Sequence, residues 1–266
     1  MDNFIKMIDY LNTHPKNDSY SKIIIYSFNN SNELAHLSIT DIATNCYVSI
    51  STVSRFARVF DFKSFAEFKS YITIYSNISP DFSFRIKNSD LGLIRNNPKQ
   101  FLMNYKEKID ASLTDVITNI NISKIDEVLS MINSHDNVYV FGSESSYSLL
   151  NEIQRGLFIS GKLIFSGKET KDFERMALNL KKNDLALVFS SFGTFLSDSP
   201  QIIDEILKSG CDNIFITQHT ENMTTSSFKN ILNITKENHV EAGNYPFLFI
   251  CEFLVRRYYS LFHNKK

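Results

Sequence analysis

Tryptophan is missing altogether, and cysteine (3), proline (5) and glycine (8) are sparse among the 266 residues. So few glycines and prolines exclude a collagen-like or low-complexity chain. The three cysteines, Cys46, Cys211 and Cys251, are odd in number and far apart. They form neither a zinc spacing nor a closed disulfide framework, so a reducing compartment is expected. The histidines (His14, His36, His135, His219, His239, His263) show no HxxxH or HxH pattern, and neither a metal site nor a cofactor is expected. Long hydrophobic runs are also lacking. The most apolar late stretch, Tyr245 to Val255, contains Glu252 and is about half the length of a bilayer span, so it reads as a buried helix. The opening MDNFIKMIDYLN carries acids among its apolar residues and has no basic flank or continuous apolar core of a signal peptide. A cytoplasmic protein with no membrane partner is therefore expected. Charge of one sign is absent as well: 28 Lys and Arg face 29 Asp and Glu, a net −1. Coating nucleic acid without specificity needs a large basic excess, so any contact with DNA has to be local.

What is present is the balance of a soluble globular protein, 43% hydrophobic and 21% charged, long enough for two domains that need no covalent staple. Residues 1–76 show helical periodicity in short blocks and no alternating run, which predicts an all-α domain. From Asn77 to Pro98 the prolines, polar residues and unpatterned aromatics read as linker. The expected division is therefore 1–76 for the helical domain, 77–108 for a linker and connecting helix, and 109–266 for a second domain. Lys99 to Thr118 reads as a helix, and Ser123 to Asn133 as another, opened by Ser123 as N-cap with Asp126 three residues on. Four short apolar runs follow, VYVF (138–141), KLIF (162–165), LALVFS (185–190) and NIFIT (213–217), separated by helical stretches at 145–160, 169–180 and 198–209. With a fifth strand at ILNI (231–234) and a closing helix from Tyr245 to Phe262, they predict an α/β domain, a parallel sheet with helices on both faces. In that closing helix Phe249, Phe253 and Tyr259 are expected on an apolar face that packs in the domain or against a partner subunit, with Arg256 and Arg257 on the polar side. Ligands of such sheets bind at the carboxyl ends of the strands.

The segment SITDIATNCYVSISTVSRFARVF (38–60) has the apolar spacing of a helix-turn-helix. Ile39 and Ile42 belong to one helix, Val48 to the turn, and Val53 and Phe56 to the next helix. Ala43 stands where the two helices cross, and crossing helices approach to about 8–10 Å, so a small side chain is needed there. Ser49 is placed to cap the second helix through the N–H near Thr52. That helix then projects Ser51, Thr52, Ser54, Arg55 and Arg58 outward, hydroxyls and guanidinium groups suited to base edges and phosphates. A merely solvated polar face is the alternative.

The full pattern SIxxIAxxxxVSxxTVxRFxRxFxFxxFxxFK over 38–69 closely resembles the N-terminal domain of the RpiR/MurR family of bacterial regulators. That resemblance implies a DNA-binding transcription regulator, with a double-stranded operator as partner. FKSFAEFK (62–69) matches the family's next helix, where Lys63 and Lys69 would hold phosphates. The candidate DNA-binding set is Ser49, Ser51, Thr52, Ser54, Arg55, Arg58, Lys63 and Lys69. Two positions depart from the family pattern: Tyr47 in the turn and Asp61 before Phe62 stand where glycine is usual. Glycine there commonly serves a positive φ, so a slightly remodelled turn is expected. Within 1–76 the seven basic residues (Lys6, Lys16, Lys22, Arg55, Arg58, Lys63, Lys69) are matched by seven acids (Asp2, Asp9, Asp18, Glu33, Asp41, Asp61, Glu67). One copy would bind weakly, so a homodimer or a dimer of dimers on a symmetric site is expected.

In the second domain the first strand ends in VFGSESS (140–146) and the third in FSSFGTF (189–195). Both are small-residue loops leading into helices, where backbone N–H groups favour an anion. The candidate ligand set is Gly142, Ser143, Glu144, Ser145, Ser146, Ser190, Ser191, Gly193 and Thr194; ordinary strand-to-helix turns are the alternative. Residues 109–260 look like a SIS domain, the sugar isomerase fold found in phosphosugar enzymes and in the same regulators. FGSESS, RGLFISGK (155–162), SSFGT and KSGCDNIFIT (208–217) carry that likeness, which implies a sugar-phosphate effector. Against the family's loops, Glu144 replaces a glycine, and Phe192 and Phe195 replace a serine and a threonine. A carboxylate repels an anion and phenyl rings offer no donor. Two versions of the sensor stay open: an altered sugar-phosphate site, or a domain that only dimerises. A phosphosugar isomerase is the rival reading, with Glu144 or Glu241 as general base; His239 and Glu241 fall in a loop that could reach the crevice.

Overall fold

The computed structural model describes residues 3–76, 87–142, 146–218 and 227–263. The chain divides into two compact units, 1–86 and 87–266.

The first unit is helical: α1 (Asn3–Thr13), α2 (Ser19–Asn29), α3 (Ser31–Leu34), α4 (Ile39–Asn45), α5 (Ile50–Val59) and α6 (Phe65–Ser76). Side chains set several of its helix starts. Asp18 accepts the N–H groups of Tyr20 and Ser21 at 2.9 and 3.2 Å. Ser38 and Asp41 form a reciprocal capping box at the start of α4. The core joins Met7, Ile23, Ile24, Leu34, Ile42 and Val53 to a ring cluster in which Phe56 lies 4.7 Å from Phe60 and 4.9 Å from Phe68, the latter edge-on. Edge-to-face pairs of this kind add about 0.5–1.5 kcal/mol beyond area burial. A core built on phenylalanine rings therefore stabilises this small bundle without tryptophan.

The second unit begins with α7 (Asn88–Asn96) and α8 (Pro98–Asn119), followed by α9 (Ile122–Ser134), β1 (Val138–Gly142), α10 (Tyr147–Ile159), β2 (Phe165–Ser166), α11 (Thr170–Leu178), β3 (Leu185–Phe189), α12 (Thr194–Asp198), α13 (Pro200–Lys208), β4 (Asp212–Thr217), β5 (Asn230–Asn233), a 3-10 turn (Val240–Ala242) and α14 (Tyr245–Phe262). The sheet is parallel throughout, in the order β2-β1-β3-β4-β5. Its central strand LALVF is buried along its whole length, as a strand covered on both faces must be. The order reverses between β1 and β3, where Gly142 lies in register with Phe189. That switch point is where open α/β sheets leave a crevice.

Several expectations change. α8 runs straight through position 108, so the connecting helix is continuous with the second unit. Asn121, not Ser123, caps α9, its side chain accepting the Lys124 N–H at 3.1 Å. Asp126 instead receives a two-pronged ion pair from Arg257, both contacts 2.9 Å. The strand expected at 162–165 is reduced to Phe165–Ser166, with Leu163 exposed. The packed face of α14 is Phe247, Ile250, Cys251, Leu254 and Tyr258, while Phe249 and Tyr259 face outward.

Candidate functional site

α4 and α5 are joined by Cys46–Ser49 in the manner of a helix-turn-helix. Ala43, Val53, Phe56 and Ala57 are buried at the crossing and beneath α5. Ser49 accepts the Thr52 N–H at 3.1 Å, and its hydroxyl lies 2.8 Å from both Ser51 Oγ and Thr52 Oγ1. Ser49 is thus spent on the cap, and Thr52 is half-buried beside it. Ser51, Ser54, Arg55 and Arg58 stand exposed on the opposite face from the core. Arg55 Nε donates to the Ser51 carbonyl at 3.4 Å. Ile50, 48% exposed in the first turn, is a member of this face that a search for polar side chains passes over.

The turn keeps its shape without glycine: Tyr47 and Asp61 both adopt positive φ, 55° and 61°. The expected remodelling does not occur, and each residue carries the left-handed strain instead. Asp61 receives Lys6 Nζ at 2.8 Å. Lys63 is exposed, its own N–H held by Glu67. Lys69 is not free for a phosphate. Its ammonium caps the carbonyls of Ala35 and Leu37 at 3.2 and 2.8 Å, closing the end of α3.

In the second unit Gly142 ends β1 and Ser190 follows β3, so both flank the switch point. Ser143, Glu144 and Ser145 lie outside the described residues. Ser146 is buried at the start of α10. A Cβ on Gly142 would come 3.0 Å from the Phe189 carbonyl and 3.1 Å from Leu150, so a larger residue there would press on the backbone of β3. Ser190 Oγ accepts the Phe195 N–H at 3.2 Å, and Gly193 turns the chain into α12 with φ 75°, beside exposed Thr194. Phe195 is only 2% exposed and packs edge-on to Phe173. Its ring belongs to the core and does not obstruct a ligand at the loop.

Gln218, which follows β4, joins this group from outside the expected set. It is fully buried: its N–H donates to the Ser191 carbonyl at 3.0 Å, and its amide nitrogen donates to Ser191 Oγ and, at 3.4 Å, to the Gly243 carbonyl. Its amide oxygen has no donor among the described residues. A polar residue ending an apolar strand was the only signal in the sequence.

The loop before α14 is bolted down. Asp115 on α8 accepts the Lys236 and Glu237 N–H groups at 3.0 Å each and His239 Nε2 at 2.7 Å. Glu241 receives Lys87 and Lys108, each at 2.5 Å. Those ammonium groups hold the Glu241 carboxyl below its ordinary value. Burial pushes Asp115 the other way, but the Lys236 and Glu237 N–H groups, His239 and Asn119 outweigh it and lower its pKa.

Residues 5–78 match the helix-turn-helix domain of the rpiR family. The HTH-type transcriptional regulator GlvR of Bacillus subtilis (strain 168) is 23% identical over 193 residues, 71% of this chain and 65% of that protein's length. The Vibrio vulnificus NanR protein, solved in complex with ManNAc-6P, has a similar fold across 97% of this chain and 92% of its own, with 16% identity and a TM-score of 0.53. The sugar isomerase domain of an RpiR transcription factor from Sphaerobacter thermophilus is similar over 62% of this chain and 91% of its own, at 16% identity and a TM-score of 0.50. The second unit thus has the SIS fold.

Proposed function

Because residues 5–78 match the helix-turn-helix domain of the rpiR family, we propose that this chain is a DNA-binding transcription regulator of carbohydrate metabolism, controlled by a sugar phosphate or a related ligand at the crevice of its α/β unit. The observation that carries this reading is α5: a helix capped by Ser49, buried through Val53, Phe56 and Ala57, and presenting Ser51, Ser54, Arg55 and Arg58 to solvent. Such a helix enters the major groove with its N-terminal residues on base edges. A double-stranded operator is its partner. Lys63 is available to a phosphate, while Lys69 supports the domain from within.

The charge-balanced helical domain needs two copies for affinity, and the second unit is suited to pairing them. α10 and α14 expose Phe158, Ile159, Leu248 and Phe249 at 66, 65, 45 and 41%, a concentration of apolar side chains typical of a surface that meets a partner. A homodimer would bring two recognition helices to one symmetric site.

The effector reading rests on Gly142 at the end of β1, Ser146 at the start of α10, and Ser190, Ser191, Gly193 and Thr194 after β3, which flank the switch point. Gln218 Oε1 adds a buried acceptor that a sugar hydroxyl can satisfy. Regulators with similar architecture, NanR in complex with ManNAc-6P among them, favour a phosphorylated sugar. The isomerase reading loses Glu241 as its general base, because that carboxylate is pinned by two lysines with its basicity lowered, the opposite of what a base near neutral pH requires; its other candidate base, Glu144, lies outside the described residues.

Replacing both Arg55 and Arg58 with alanine tests the central claim. Taking one arginine away from a base edge costs about 1–3 kcal/mol, so binding to a duplex enriched by the wild-type protein from a random pool should fall at least tenfold, with a shallower salt slope and an unchanged melting temperature. Binding that survives with the same salt slope would mean the recognition helix is elsewhere. A rise in melting temperature with one of a panel of sugar phosphates is the corresponding test of the crevice.

A further inference from the structure

We propose that Tyr47 is a DNA-contacting residue, its phenolic hydroxyl donating a hydrogen bond to a backbone phosphate at the edge of the groove that α5 enters. The inference rests on the DNA-binding reading above and adds a residue to it that lies outside α5. Two non-glycine residues in the described chain hold positive φ, Tyr47 at 55° and Asp61 at 61°, a conformation that L side chains adopt at a cost. For Asp61 the fold supplies a reason, since its carboxylate receives Lys6 Nζ at 2.8 Å and ties α1 to the loop after α5. For Tyr47 it supplies none. The ring is 89% exposed, the highest among the exposed large hydrophobic side chains described, and it makes no hydrogen bond or ring contact to any described residue. A strained backbone carrying a side chain that does nothing for the folded domain points to a use outside it.

Position gives that use. Tyr47 lies two residues ahead of Ser49, the cap of α5, and the next outward side chains are Ile50, 48% exposed, and Ser51. When the first turn of α5 meets base edges, the turn immediately before it borders the sugar-phosphate backbone. A phenol suits that place. It is long and stiff, it donates one hydrogen bond, and being neutral it does not repel Arg55 or Arg58. In a domain whose seven cations are matched by seven acids, neutral donors to phosphate have added weight.

The test uses the full-length protein and a duplex enriched by the wild type from a random pool. Affinity is measured by fluorescence anisotropy across a salt series, alongside melting temperature, for Tyr47→Phe and Tyr47→Gly. Both variants should bind roughly tenfold more weakly, the scale of losing hydrogen bonds to charged groups. The salt slope should match the wild type because no cation is removed. Tyr47→Gly should melt at or above the wild-type temperature, since glycine relieves the positive φ. Wild-type affinity in Tyr47→Phe overturns the proposal, and so does a changed salt slope in either variant or a lower melting temperature for Tyr47→Gly, which would make the ring structural. If the wild type enriches no duplex, the DNA-binding reading itself fails, and that failure is visible before any variant is made.

Discussion

Cys46, Cys211 and Cys251 are all free and buried. Burial pushes Cys46 up to about 11 and raises Cys211 and Cys251 as well. Since the thiolate is the reactive form, the native protein should leave an aromatic disulfide reagent such as DTNB almost unreacted at pH 8, and release three equivalents of thiol on denaturation. A fast native equivalent would show that one of these sites opens readily. The same contrast between kind of residue and place of residue governs the candidate sites. Arg55 and Arg58 are legible as outward-facing residues because helical periodicity alone puts them opposite Val53 and Phe56. Lys69 has the same chemistry but a different fate, because its partners are the carbonyls of Ala35 and Leu37, more than thirty residues away. Gln218 likewise escapes a sequence reading, since its meaning comes from Ser191 and Gly243.

At the level of elements, the packing of α10 against α14 turns on one residue. A Cβ on Gly156 would stand 2.5 and 2.9 Å from the two methyl carbons of Val255. Valine is stiff about χ1, so the clash cannot be relieved by a simple rotation. Gly156→Ala should therefore destabilise the second unit by about 1–3 kcal/mol, even though alanine is the better helix former by about 1 kcal/mol. Urea unfolding decides it: a midpoint at or above wild type would mean the helices separate at no cost. Elements with a strong period were readable in advance, including α5 with its Ser49 cap and the buried β3. The rest was not readable, for physical reasons. Asn121 and Ser123 are both competent caps, and only where α9 docks selects the first. α14 is apolar on nearly every side, so periodicity could not tell Phe247 from Phe249. KLIF has the composition of a strand, yet β2 is an edge strand in which only Phe165 and Ser166 pair.

Across the second unit, Glu241 joins three distant parts of the chain. It takes Lys108 from α8 and Lys87 from the first turn of the unit, where the chain arrives from the helical domain. Two residues on, Gly243 receives the Gln218 amide beside the crevice. Glu241 and Asp115 lie below their ordinary values of 4.5 and 3.8, so the folded state binds protons less readily than the unfolded chain. The stability they confer is complete above those ordinary values and is lost as pH falls through the lowered ones. Glu241→Gln removes the charge and keeps the shape. At pH 7 it should lower the urea midpoint by an amount equivalent to about 1 kcal/mol, because both ion pairs are partly solvated. As pH falls through the lowered value the wild-type carboxyl itself becomes protonated, so the two curves should converge. Curves that stay parallel down to pH 3 would show that the charge on Glu241 contributes nothing to holding Lys87 and Lys108, and that the loop is kept in place by the Asp115 hydrogen bonds alone.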